Sequence, residues 1–139
     1  MTERSRGLLR DNALGLTFGG LFLVTLVGQA LSGAADFNAQ QVATTFADTS
    51  GDPGTRCDLL LQATLDSLEK SESAPCSDAI AQLPIDGGDV QSVEVWGRDA
   101  QVRLSGDTLF LTETHAGWRV AAAACHPQRD APYECEVEP

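Results

Sequence analysis

The sequence predicts an α+β domain carried behind one N-terminal transmembrane helix. Three observations predict it. No charged side chain occurs from Asn12 to Ala35, a run of 24 residues. Between Asp36 and Leu83, apolar residues recur at three- and four-residue steps, the period of a helix face. From Val93 to Ala124 they alternate with polar residues between glycine-bearing turns, the pattern of an antiparallel meander. The expected architecture is two to three helices packed on a four-stranded antiparallel meander.

At about 1.5 Å per residue the uncharged run spans about 36 Å as a helix. That is enough for a hydrocarbon core of about 30 Å with some tilt. Arg4, Arg6 and Arg10 precede the run, and no basic residue follows until Arg56. The positive-inside rule then divides the chain into a cytoplasmic N-terminus (1–11), a transmembrane helix or uncleaved signal anchor (12–35) and an extracytoplasmic domain (36–139). Ser32-Gly33-Ala34 is a small-x-small sequence, so a secreted form cleaved near Ala34 is the alternative. Gly15 and Gly19 form a GxxxG that lets helix backbones approach in a bilayer. Self-association or docking of a membrane-protein partner is expected on that face.

The stretch from Arg10 to Leu16, then Leu21-Phe22-Leu23 and Val27-Gly28-Gln29-Ala30, resembles the anchor of small uncharacterised bacterial membrane proteins. The resemblance covers about 30 residues and implies that the helix is retained.

The chain has 139 residues, with 20 acidic against 9 basic side chains and a net charge of −11. Nucleic acid is excluded as a partner, because neutralising phosphates needs a Lys/Arg surface. Residues 36–139 hold 18 of the acidic side chains, 6 of the basic ones and all 4 Cys. An even cysteine count outside the membrane points to disulfides. Of three possible connectivities, Cys57–Cys76 with Cys125–Cys135 closes the short local segments. There is no CxxC, and Cys125-His126 with Cys135 is not a zinc spacing.

The outer helices follow in order. Asp36–Asp48 carries Ala39, Val42, Ala43 and Phe46 on one face. Composition makes 48–54 a loop. Thr55 is expected to cap the next helix, with Asp58 three residues on. Leu61, Leu65 and Leu68, with Cys57 and Thr64, form its buried face. A short helix is expected over Ser77–Leu83, stopped by Pro84.

Gly87-Gly88 then marks the change of period. Val93 and Val95 belong to the first strand, Ala100, Val102 and Leu104 to the second, Leu109 and Leu111 to the third. Trp118, Val120, Ala122 and Ala124 belong to the fourth. Turns are expected at 97–99, 105–107 and 115–117. The segment from Pro127 reads as a loop tied back by Cys135, with Tyr133 beside the staple.

This order of helices and strands, with Gly117-Trp118-Arg119-Val120 near the end of the meander, resembles the nuclear transport factor 2-like and cystatin-like folds. The resemblance implies helices lying in the concave face of a bent sheet, and a ligand groove there. Trp96 and Trp118 are the candidate groove walls. Arg98 and Arg103 are expected to pair locally with Glu94 or Glu113.

There is no GxSxG, HExxH, P-loop or dinucleotide fingerprint. His115 falls in a turn and His126 in the tail, and neither is placed by a catalytic motif. Asp36, Asp48, Asp52 and Asp58 lack the spacing of a calcium loop. No catalytic residue, metal or cofactor is expected. The leading expectation is a non-enzymatic, membrane-anchored module of the bacterial cell envelope that works by contact. The alternative is a secreted or anchored small-ligand binder using the concave sheet face.

Overall fold

The computed structural model describes residues 33–130 and 132–139. The chain divides into two compact units, Met1–Ala34 and Ala35–Pro139, and the fold described is that of the second. The expected membrane helix over 12–35, with Gly15 and Gly19, lies outside the described residues except at 33–35. Among the described residues, no helix is long and apolar enough to cross a membrane.

Among the described residues the first helix, α1, covers residues 33–47. The helix face expected over Asp36–Asp48 extends back at least to Gly33, with no breaker between them. Ala39, Ala43 and Phe46 are buried at three- and four-residue steps, and Val42 packs beside them. Asp48 ends the helix in a turn, where its Oδ1 accepts the Ser50 N–H at 3.0 Å.

A single helix from Thr55 was the expectation, and two are found. Helix α2 is Pro53–Asp58 and α3 is Gln62–Glu72. The N-cap is Asp52, whose Oδ2 accepts the Thr55 N–H at 2.8 Å. Pro53 suits the first helical turn because its missing donor would go unpaired there anyway. The break at Leu59–Leu61 is made by the sheet: Leu61 N donates to Val120 O at 2.9 Å, and Val120 N to Leu59 O at 2.8 Å. Two strand-like bonds to a distant segment outweigh one more local helical turn. The fourth helix, α4, is Cys76–Ile80, shorter than the expected Ser77–Leu83. Cys57 of α2 is bonded to Cys76 of α4.

The sheet has five antiparallel strands in sequence order, not four. They are β1 Val90–Trp96, β2 Asp99–Leu104, β3 Thr108–Thr114, β4 Gly117–His126 and β5 Glu134–Val137. The four expected strands and their turns are present. The addition is β5, which places Cys135 directly opposite Cys125, and the two are bonded. Glu134-Cys135-Glu136-Val137 does alternate polar with apolar, but at the four-residue lower limit of a strand signal.

Helices lie on one face only. Ala100, Val102, Leu104, Leu109, Leu111, Trp118 and Val120 point to them and form one core with Phe46, Leu60, Leu68, Ile80 and Ile85. Gly106 and Gly88 let the approach to the sheet close up. A Cβ on Gly106 would overlap the Asp86 carbonyl, and Gly88 has φ +93° against the Ser105 side chain.

Candidate interaction surface

The register fixes which side chains share a face. Trp96 stands opposite Asp99, Asp99 opposite Thr112, and Thr112 opposite Arg119. Directly opposite residues point to one side, so these four lie on the face away from the helices. Trp118 neighbours Arg119 in sequence and points to the other face. The two tryptophans are therefore not walls of one groove: they sit on opposite faces of strands separated by β2 and β3. Trp118 is 5% exposed and packed in the core, whereas Trp96 is 50% exposed. Beside Trp118 the surface has a dip of about 310 Å³, bordered by Asn38, Gln41 and Glu113.

Part of the outward face is covered by the C-terminal tail. Tyr133 meets Phe110 edge-on at 5.2 Å between ring centroids. Its hydroxyl accepts from Gln101 Nε2 at 3.1 Å and from Arg103 at 3.4 Å. Tyr133 thus packs on β2 and β3, rather than only beside the Cys125–Cys135 bridge. Arg103 is engaged there instead of with Glu94. Arg98 donates to the backbone oxygen of Glu113 at 2.9 Å, not to its carboxylate.

A polar cluster surrounds Asp107, in a cleft of about 410 Å³ with Arg103, His126 and Tyr133 on its rim. Asp107 is buried. Its Oδ1 accepts Thr108 N at 2.7 Å and Cys125 N at 3.1 Å, and its Oδ2 accepts Ala124 N at 3.2 Å. Burial pushes this carboxyl above its ordinary value, against the pull of those three amides and His126. The carboxylate is thereby committed to its own backbone. It holds the bend in β4 at Ala124, a non-glycine residue at φ +53°. Three of its about four acceptor sites are taken by backbone amides.

Arg56 is a second buried charge with a structural engagement. Its Nε donates to Phe46 O at 2.7 Å, at the carbonyl end of α1, and its guanidinium lies 5.5 Å from the centre of the Phe46 ring. Burial lowers its proton affinity, while the Asp48 charge raises it. The Asp48 and Asp52 carboxyls are held below their ordinary values by hydrogen bonds from Ser50 and Thr55 respectively. His115 and His126 are exposed, one in the β3–β4 turn and one at the end of β4. Among the described residues, no three His, Cys, Asp or Glu side chains converge as a metal site would require.

What remains accessible is the rim of the sheet. The far edge strand is β5, only four residues long, which pairs with 123–126 of β4, while residues 59–61 cap Val120 and Thr64 Oγ1 caps Ala121 O at 2.8 Å along the rest of β4. The near edge is β1, which pairs only with β2 among the described residues. Sequence reasoning found β1 as a strand but not as the open edge. Edge position follows from pairing order, which no local pattern encodes.

A family model described as Domain of unknown function (DUF6766) matches residues 5–51, about a third of the chain. That match takes in the uncharged run and α1, and stops just before the Asp52 cap. Comparison with curated proteins and with solved structures gives no match.

Proposed function

We propose that this chain is a non-enzymatic contact module of a bacterial cell envelope, anchored through residues 12–35 with 36–139 outside. The observation that carries the reading is the continuity of α1 across residues 33–47. Of the small-x-small sequence, Gly33 and Ala34 lie in that helix. A protease holds its substrate extended, so helical backbone at Gly33 and Ala34 opposes cleavage after Ala34. Retention of the anchor then presents the outer domain at the membrane. Support for contact rather than catalysis comes from the chemistry of the domain. Its buried carboxylate is bonded to backbone amides and Arg56 Nε to the Phe46 carbonyl, leaving the buried Arg56 Nη2 without a hydrogen-bond partner among the described residues, and Trp118 fills the core behind the helices.

The test is fractionation of cells expressing the full chain, followed by intact mass of the recovered protein. The account expects the uncleaved mass in the membrane fraction. A trimmed protein in the medium, beginning after Ala34, would overturn it. With the anchor kept, Gly15→Ile with Gly19→Ile is expected to release a partner held through the GxxxG face.

A further inference from the structure

We propose that the open edge of β1 is the docking surface of this module, and that it takes an extended basic segment of a partner protein as a sixth strand. The inference rests on the reading that the domain works by contact.

The ladder shows which groups β1 offers. Trp96 and Asp99 close a two-residue turn, Gly97-Arg98, with Gly97 at φ +63°. A pair closing such a turn exchanges both of its hydrogen bonds, and pairs then alternate along the strands. Val95 and Val93 consequently turn their N–H and C=O groups outward. Among the described residues those groups have no backbone partner. Edge strands are usually blunted by Lys, Pro or a bulge. β1 has neither Lys nor Pro, and its one irregularity lies at Gln91, leaving Ser92 to Trp96 regular.

The side chains specify what pairs there. Val93 and Val95 are only half-buried on the helix side, so an added strand would cover their outer flanks with apolar residues. On the other face Glu94 and the half-exposed Trp96 stand at the rim. Asp86 and Asp89 are exposed just upstream. No ion pair among the described residues neutralises Asp86, Asp89 or Glu94. A second copy of this chain would bring equal acidic charge to the same edge, with 18 acidic against 6 basic side chains in 36–139. A partner strand alternating basic and apolar residues matches both faces: positive charge beside Glu94 and Trp96, apolar groups over the valines.

The probe is a seven-residue alternating Lys-Val peptide with blocked ends, titrated into the full-length protein in mild detergent. Binding is followed by Trp fluorescence. Two control peptides are used: the same sequence N-methylated along one edge, and an alternating Glu-Val peptide. The expected result is a blue shift with the Lys-Val peptide, and at least tenfold weaker binding by both controls. Val95→Pro removes an outward donor while sparing the β1–β2 ladder. It and Glu94→Lys are each expected to weaken binding at least tenfold. Because the N-methylated peptide leaves the protein unaltered, a misfolded Val95→Pro does not rescue or sink the proposal. Equal binding of the N-methylated peptide, no binding of the Lys-Val peptide, or a dimer that Val95→Pro dissociates would overturn it. If Val95→Pro and Glu94→Lys both bind the Lys-Val peptide as tightly as the parent, the edge assignment fails while the contact module, held through the GxxxG face, stands. If the peptide binds by its edge but the protein is secreted, the anchored reading fails while the edge stands.

Discussion

The Asp107 carboxylate accepts the Cys125 N–H at 3.1 Å, tying the β2–β3 turn to the base of the Cys125–Cys135 bridge. The link crosses the sheet end where β4 bends toward β5. A buried carboxylate with three amide donors behaves as a clamp, because each bond to a charged acceptor is stronger than a neutral one.

Asp107→Asn keeps one acceptor and turns an amide group toward backbone donors. It is expected to cost about 2–3 kcal/mol in urea unfolding. The pH dependence has a definite sign. With the folded carboxyl raised by burial, the folded chain holds a proton between the ordinary and the raised value that the unfolded chain has released. Stability therefore falls as pH rises through that window. The Asn variant should lack that part of the slope, and an unchanged slope would remove Asp107 as its source.

Removal of either bridge should be felt separately. Cys57–Cys76 closes 19 residues of sequence separation and Cys125–Cys135 closes 10. Chain entropy gives each about 3 kcal/mol. Double Cys→Ser variants at each pair should lower the thermal midpoint. The Cys125/Cys135 variant should also release Tyr133 from Phe110, read as a gain in tyrosine exposure.

The tryptophans should respond oppositely. Trp118→Ala empties a core position and is expected to cost about 3–5 kcal/mol. Trp96→Ala should stay within about 0.5 kcal/mol, as exposed positions do. Fluorescence of Trp96→Phe should report a buried emitter, and that of Trp118→Phe a wetter one.

Arg56→Ala removes the charge-assisted bond to Phe46 O and the packing over its ring. It should cost about 3 kcal/mol, mostly through loss of the α1 C-terminal clasp. Arg56→Lys should not restore the loss, since an ammonium lacks the planar reach of the guanidinium.

Much of this fold is legible in the sequence because it is local. The Ala39, Ala43 and Phe46 stripe marks α1, and alternation with Gly turns marks β1 to β4. The Cys57–Cys76 and Cys125–Cys135 pairs follow from short separations. The remainder depends on distant partners. Leu59–Leu61 leaves the helix because Val120 offers strand bonds. Thr64 is buried because the carbonyl of Ala121, extra at the β4 irregularity, needs a donor. Asp107 looks like any turn aspartate until the bend at Ala124 brings two more amides to it. Trp96 and Trp118 share a residue type but not a face, and their separation emerges only from the register.

The most direct test of the central claim is co-purification from the native host's membranes. The full chain, tagged at its C-terminus, would be extracted in mild detergent and its companions identified by mass spectrometry. The account predicts an uncleaved protein with a stoichiometric membrane partner, lost with Gly15→Ile and Gly19→Ile. A protein that leaves the membrane alone, or that appears in the medium without residues 1–34, would contradict it.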